Sequence, residues 1–152
     1  MKRILSALLV SLIIFSACNK ESTPAPTPAP LTVEELLTQK TWKADEVRSQ
    51  FSNNTTTYYK RGGASNSVNY DSDSIKFNTN NTGIYYFNGT INTTTWNFTN
   101  PEKTKMVIVI NYATPLTINW EYVNVVTGSL KYTQYSSFNG LSYLASGTRV
   151  PN

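Results

Sequence analysis

"SIKFNTNNTGIYYFNGTINTTTWNFTNPEKTKMVIVI", residues 74–110, decides the fold class. Ser74 to Asn78 alternates polar and apolar side chains, the two-residue period of a half-buried strand. Gly83–Phe87 and Thr90–Phe98 are β-rich runs on either side of Asn88-Gly89. Both turn residues tolerate positive φ, which predicts a type I′ hairpin. Pro101-Glu102 then turns the chain into Thr104–Tyr112. Met106–Ile110 is apolar on both parities, which predicts a strand that is central or covered on both faces. No helical period separates these runs, so they pair as antiparallel neighbours.

The same pattern continues outward. Towards the C-terminus, Leu116, Ile118, Trp120 and Tyr122 alternate with Thr117, Asn119 and Glu121. Thr127-Gly128 and Asn139-Gly140 mark turns before strands at 129–137 and 141–149. Towards the N-terminus lie strands at Thr41–Phe51 and Thr55–Lys60, then a polar loop over 61–71. Before them, Thr32-Val-Glu-Glu35 is a capping box, and Val33, Leu36 and Leu37 form an i, i+3, i+4 stripe. One short helix over 33–39 is predicted. The fold class is therefore all-β: eight or nine short strands in an antiparallel meander that closes into a barrel or folds into a sandwich. Ile84, Tyr86, Trp96, Ile118, Trp120 and Tyr122 fall on parities that point them inward, as candidates to line a pocket. A barrel of about eight strands is either filled by its side chains or holds one small ligand. Inward Tyr and Trp bring polar tips that need partners, which favours a cavity with some polar lining.

The N-terminus carries an address. Lys2 and Arg3 precede an apolar run from Ile4 to Phe15, followed by Ser16-Ala17 and the only cysteine, Cys18. That is the layout of a secretory signal, and its apolar core is shorter than the roughly 20 residues a spanning helix needs. Ser16-Ala17-Cys18 resembles the lipobox of bacterial lipoproteins, with Phe15 where leucine is usual. The resemblance implies removal of residues 1–17 and acylation of Cys18, palmitate included, for attachment to the outer membrane at its periplasmic face or at the cell surface. The Pro-, Thr- and Ala-rich segment completing 18–30 is a semi-rigid tether, extended by ~3.1 Å per residue. Residues 31–152 make one domain.

Composition removes several functions. Without residues 1–17 the chain has 11 basic against 9 acidic side chains, too balanced and scattered for a nucleic-acid footprint. Histidine is absent, and with it the commonest general base and metal ligand. No cofactor, metal site or catalytic group is expected, and the chain does not read as an enzyme. Asp71-Ser-Asp73 faintly resembles the start of a calcium loop, but Ile75 and Thr82 stand where oxygen ligands belong, so a solvated turn is expected. Asp73-Ser74-Ile75 also has the short pattern of a Bacteroidetes O-glycosylation site, a motif brief enough to recur by chance.

A short helix running into a strand that opens with Trp is similar to the start of a lipocalin. Lys40-Thr41-Trp42 stands where those proteins carry G-x-W, matching the Trp and not the glycine. Residues 74–110 also resemble the small lipocalin-like domains of Bacteroidetes lipoproteins. The resemblance covers roughly 36–149 and implies a lipocalin-like barrel. It also implies that Arg149, at the end of the last strand, packs on Trp42 to close the barrel. The function it implies is binding of a small, partly apolar ligand by a lipid-anchored envelope protein. The alternative is a barrel or sandwich that works by its outside, in adhesion or glycan contact, through exposed rings of pairs such as Tyr58-Tyr59 and Tyr85-Tyr86.

Overall fold

The computed structural model describes residues 28–51, 54–138 and 141–152. Cys18, the signal segment, most of the tether and the Asn139-Gly140 turn lie outside the described residues. One helix, α1 (Val33–Gln39), precedes nine strands: β1 (Thr41–Phe51), β2 (Asn54–Lys60), β3 (Ser74–Phe77), β4 (Thr82–Phe87), β5 (Thr90–Phe98), β6 (Lys105–Ile110), β7 (Leu116–Val126), β8 (Ser129–Phe138) and β9 (Leu141–Pro151). All pairings are antiparallel.

The meander closes. Strands β3 to β9 pair in sequence, and β1 joins β9 on one edge and β3 on the other. The result is an eight-strand barrel of β1 and β3–β9, with β2 as an extra strand. Closure rests on a division along β1. Its first residues, Thr41–Lys43, pair with β3, whereas Glu46–Phe51 pair with β2. The other edge of β1 pairs with β9 from Trp42 to Gln50. The sandwich is thereby excluded.

Turn chemistry sets the register. Asn88 and Gly89 both have positive φ, 48° and 77°, and Phe87 pairs with Thr90 across them, as the Asn-Gly pair predicts. The Asn100 carboxamide oxygen accepts from the amides of Thr104 and Lys105 at 3.0 and 2.8 Å, which folds the turn into β6. Met106, Ile108 and Ile110 are buried while Val107 and Val109 on the other face are only half covered. The strand is thus central, between β5 and β7, as one arm of the expectation has it, while its burial is one-sided and not full on both faces.

Helix α1 plugs one end of the barrel. The capping box forms: Glu35 N donates to Thr32 Oγ1 at 3.2 Å, and Thr32 N donates to Glu35 Oε2 at 2.7 Å. Leu37 is fully buried, and Val33 and Leu36 pack on the core beside it. The helix is too short to stand alone, so its position comes from tertiary contacts. Trp42 Nε1 donates to the Leu37 carbonyl at 2.8 Å, tying the helix end to the start of β1. Lys76 Nζ donates to Thr38 O, and Lys103 pairs with Glu34. Below the plug lies a layer of rings: Phe77 meets Trp96 edge-on at 5.5 Å and Trp120 at 6.2 Å. Complete burial of a residue such as Leu37 or Phe77 is worth roughly 1.5–3 kcal/mol each.

Candidate functional site

The plug fills one half of the barrel; the other half is hollow. A cavity of about 560 Å³ opens away from α1. Its floor is formed by Asp73, Ile75, Ile108, Trp120 and Arg149, and exposed Leu116 and Val68 stand at its mouth. The volume falls in the range of small-molecule sites, and the lining combines aliphatic residues with a few placed polar groups, as such sites do.

The floor is organised by an ion pair. Arg149 Nη1 lies 2.5 Å from Asp73 Oδ1 and also donates to the Trp42 carbonyl at 3.3 Å. Tyr85 donates its hydroxyl hydrogen to Asp73 Oδ2 at 2.6 Å. One network therefore links β9, β1, the entry to β3, and β4. Arg149 and Asp73 are 6% and 3% exposed. Burial opposes the Arg149 charge, but the neighbouring Tyr132 and Asp73, with the hydrogen bond to Asp73, outweigh it and raise its pKa, so it stays a cation. Burial above all, then the Asp73 charge and hydrogen bond, pushes the Tyr85 phenol far up, so it remains a donor. Asp73 thus corrects the solvated-turn expectation: it is buried and has both carboxylate oxygens engaged. Asp71 instead accepts from the buried Tyr59 hydroxyl at 2.8 Å. Among the described residues no three His, Cys, Asp or Glu side chains cluster as a metal site.

One wall is an aromatic stack. Trp120 and Tyr132 lie parallel, centroids 3.7 Å apart and planes at 12°. The Arg149 guanidinium lies 5.7 Å from the Trp120 centroid and 5.9 Å from that of Tyr132. Trp120 Nε1 donates to Gln134 Oε1 at 3.2 Å. Gly147 makes the stack possible. A Cβ at that position would lie 2.3 Å from Tyr132 Cζ, so only glycine lets the ring lie over the β9 backbone.

The six candidate pocket residues divide. Ile118 and Trp120 line the cavity. Trp96 is buried, but in the ring layer near the plug, where its Nε1 donates to Thr82 O at 2.9 Å; it borders a separate depression beside α1 and not the cavity. Ile84 and Tyr86 face outward. Strand β4 carries large apolar groups on both parities, and the inward set is Gly83, Tyr85 and Phe87. Asp73 holds Tyr85 inside, and Gly83 packs so closely that a Cβ would sit 2.4 Å from Lys76 O. Tyr122 is 73% exposed, because β7 slips register between Glu121 and Asn124 and Tyr122 takes φ +52°. This bulge turns Tyr122 out and Val123 and Val125 in.

The expected closure contact is also changed. Arg149 reaches Trp42 through the backbone carbonyl, and the rings it covers are Trp120 and Tyr132. Trp42 is completely buried, with its indole N–H given to the helix. Sequence reasoning missed Tyr85, Tyr132 and Asp73. The available signal was pairing: a lone inward Arg in a closed barrel needs a buried carboxylate, and Asp73 immediately precedes β3.

No protein-family profile matches the chain, and no curated protein matches it either. The fold and the cavity define a class: a small antiparallel β-barrel, plugged at one end by a helix and hollow at the other.

Proposed function

We propose that this protein is a lipid-anchored binding protein of the cell envelope, with a lipocalin-like barrel that holds a small, partly apolar molecule. The observation that carries the reading is the 560 Å³ cavity walled by Ile108, Ile118, Trp120 and Tyr132, with hydrogen-bonding groups on its floor. Such a site buries most of a small ligand's surface and uses few polar groups to orient it. The anchor rests on Ser16-Ala17-Cys18 after a short apolar segment. Two or more acyl chains hold a protein stably on a membrane, whereas one does not. Cys18→Ala in cells should leave uncleaved precursor or soluble protein; a cleaved, membrane-bound variant removes the anchor from the proposal.

The binding test uses N-phenyl-1-naphthylamine, an uncharged fluorescent probe, with residues 18–152 carrying Cys18→Ala. All nine strands, α1 and the core lie within residues 32–152, so this chain contains the whole folding unit. Saturable binding is expected, and Ile118→Trp, which fills the cavity, should abolish it. A second reading, contact through the outer surface, has one supporting observation: exposed Ile91 lies directly across from exposed Tyr86. If Ile91→Ser removes binding and Ile118→Trp does not, the outer surface is the site.

A further inference from the structure

The charges around the cavity cancel, and this bears on what enters it. The strands present mostly uncharged groups to the cavity, among them Val47 and Ser49 of β1, Ile75 of β3, Ile118 of β7, Tyr132 of β8 and Ala145 of β9. None of these carries a charge at neutral pH. The charged inward groups are Asp73 and Arg149, which neutralise each other at 2.5 Å. Arg48 at the rim is exposed, and its Nη2 pairs with Glu46 Oε1 at 2.8 Å. Arg61 lies outside the lining and donates to the backbone oxygens of Ala44 and Asp71.

At the mouth the one charged lining group is Arg48, already paired with Glu46. The described turns at that end, Asn88-Gly89 and Asn111 to Pro115, contain no Lys, Arg, Asp or Glu. Of the other charged segments, α1 with Glu34 and Glu35 and the turn before β6 with Glu102 and Lys103 lie at the opposite end, whereas the 61–73 loop, which reaches the cavity through Val68, Tyr70 and Asp73, carries Arg61 and Asp71 as well. An anionic ligand entering the hollow half therefore finds no free counter-charge at the mouth, and Asp73 as well as Arg149 on the floor. A charge taken out of water without a partner is strongly disfavoured. A neutral ligand loses nothing by comparison and can use the phenol hydroxyls. Tyr132 makes ring contacts and no hydrogen bond from its hydroxyl to the described residues.

We propose that the cavity selects uncharged amphipathic molecules, with a ring or aliphatic body and a hydroxyl or carbonyl oxygen, over carboxylates, sulfonates and phosphates. The inference rests on the binding reading above and names its ligand class. The test compares two probes with one skeleton: N-phenyl-1-naphthylamine, which is neutral, and 1-anilinonaphthalene-8-sulfonate, which adds an anion. With residues 18–152 carrying Cys18→Ala, the neutral probe should bind at least about tenfold more tightly. Asp73→Asn leaves Arg149 without its counter-charge, and the preference should fall towards one. Equal or tighter binding of the sulfonate by the unaltered cavity overturns the inference and leaves the binding reading intact. A preference that Asp73→Asn does not change also overturns it. Failure of both probes to bind overturns the binding reading itself. Where Asp73→Asn does not fold by circular dichroism, the ratio measured on the unaltered cavity decides alone.

Discussion

Gly147 shows how much a single missing side chain can determine. It pairs with Tyr132 on one side and Val47 on the other, so it sits in the middle of the closure seam. The Tyr132 ring occupies the space a side chain at 147 would take, and from there it stacks on Trp120. Gly147→Ala should destabilise the fold by roughly 1–3 kcal/mol, because a rigid ring at 2.3 Å cannot yield as a flexible chain end does. Urea denaturation measures this. In a Tyr132→Ala background the penalty should largely disappear, since the two changes share one contact; an unchanged penalty would place the strain elsewhere. No reading of the sequence singles out Gly147, because a glycine within a strand has several explanations and the facing ring comes from another strand. Asp73 was hidden for a similar reason. Beside Asp71 and Ser72 it reads as a wet turn, and only closure of the barrel brings Arg149 to it.

At the scale of elements, the strands were legible almost to the residue, because turn chemistry and alternation are local properties. The Asn88-Gly89 hairpin and the capped helix formed as their residues predict. What alternation could not supply was the facing of each strand. In β4, Ile84 and Tyr86 compete with Tyr85 and Phe87, and both sets are apolar, so the decision passes to the buried carboxylate that Tyr85 reaches. In β7 the alternation was read correctly through Trp120 and failed at the bulge, where one residue in the left-handed region reverses everything after it. The helix offers a direct test of how an element holds its place. Thr32→Ala removes the Oγ1 acceptor of the Glu35 amide, and the Oγ1 bond to Glu35 Oε2, while the backbone bond from Thr32 N to Glu35 remains; it should cost about 0.5–2 kcal/mol, read as a lower thermal midpoint. Trp42 fluorescence should respond as well, since its indole bonds to the same helix at Leu37. A midpoint unchanged by Thr32→Ala would mean that the helix's tertiary contacts, and not its cap, fix the plug.

Across the whole molecule, a buried phenol, Tyr59, and a half-buried one, Tyr85, brace the wall where the barrel is least continuous. Between β2 and β4 no strand pairing runs along the hollow half, since β1 exchanges β3 for β2 there. Tyr59 donates to Asp71, and Tyr85 to Asp73, at either end of one short segment. Tyr70 lies between, its ring 5.6 Å from Tyr59 and 5.7 Å from Phe87. Burial, then the hydrogen bond to Asp71, pushes the Tyr59 pKa up to about 12, and Tyr85 is raised further for the reasons given above. An unfolded phenol titrates near ~10. The folded state therefore binds these protons more tightly than the unfolded chain does. Their contribution to stability is complete below pH ~10 and is lost as pH rises through the folded values. The urea midpoint should fall from pH ~10 upward, and part of the phenolate absorbance should appear only as the barrel opens. A chain carrying Tyr59→Phe and Tyr85→Phe should show a shallower fall over the same range, whatever its stability at neutral pH. If all the tyrosines ionise in one early phase while the circular dichroism stays native, these two phenols are not sealed, and the wall between β2 and β4 is open to water.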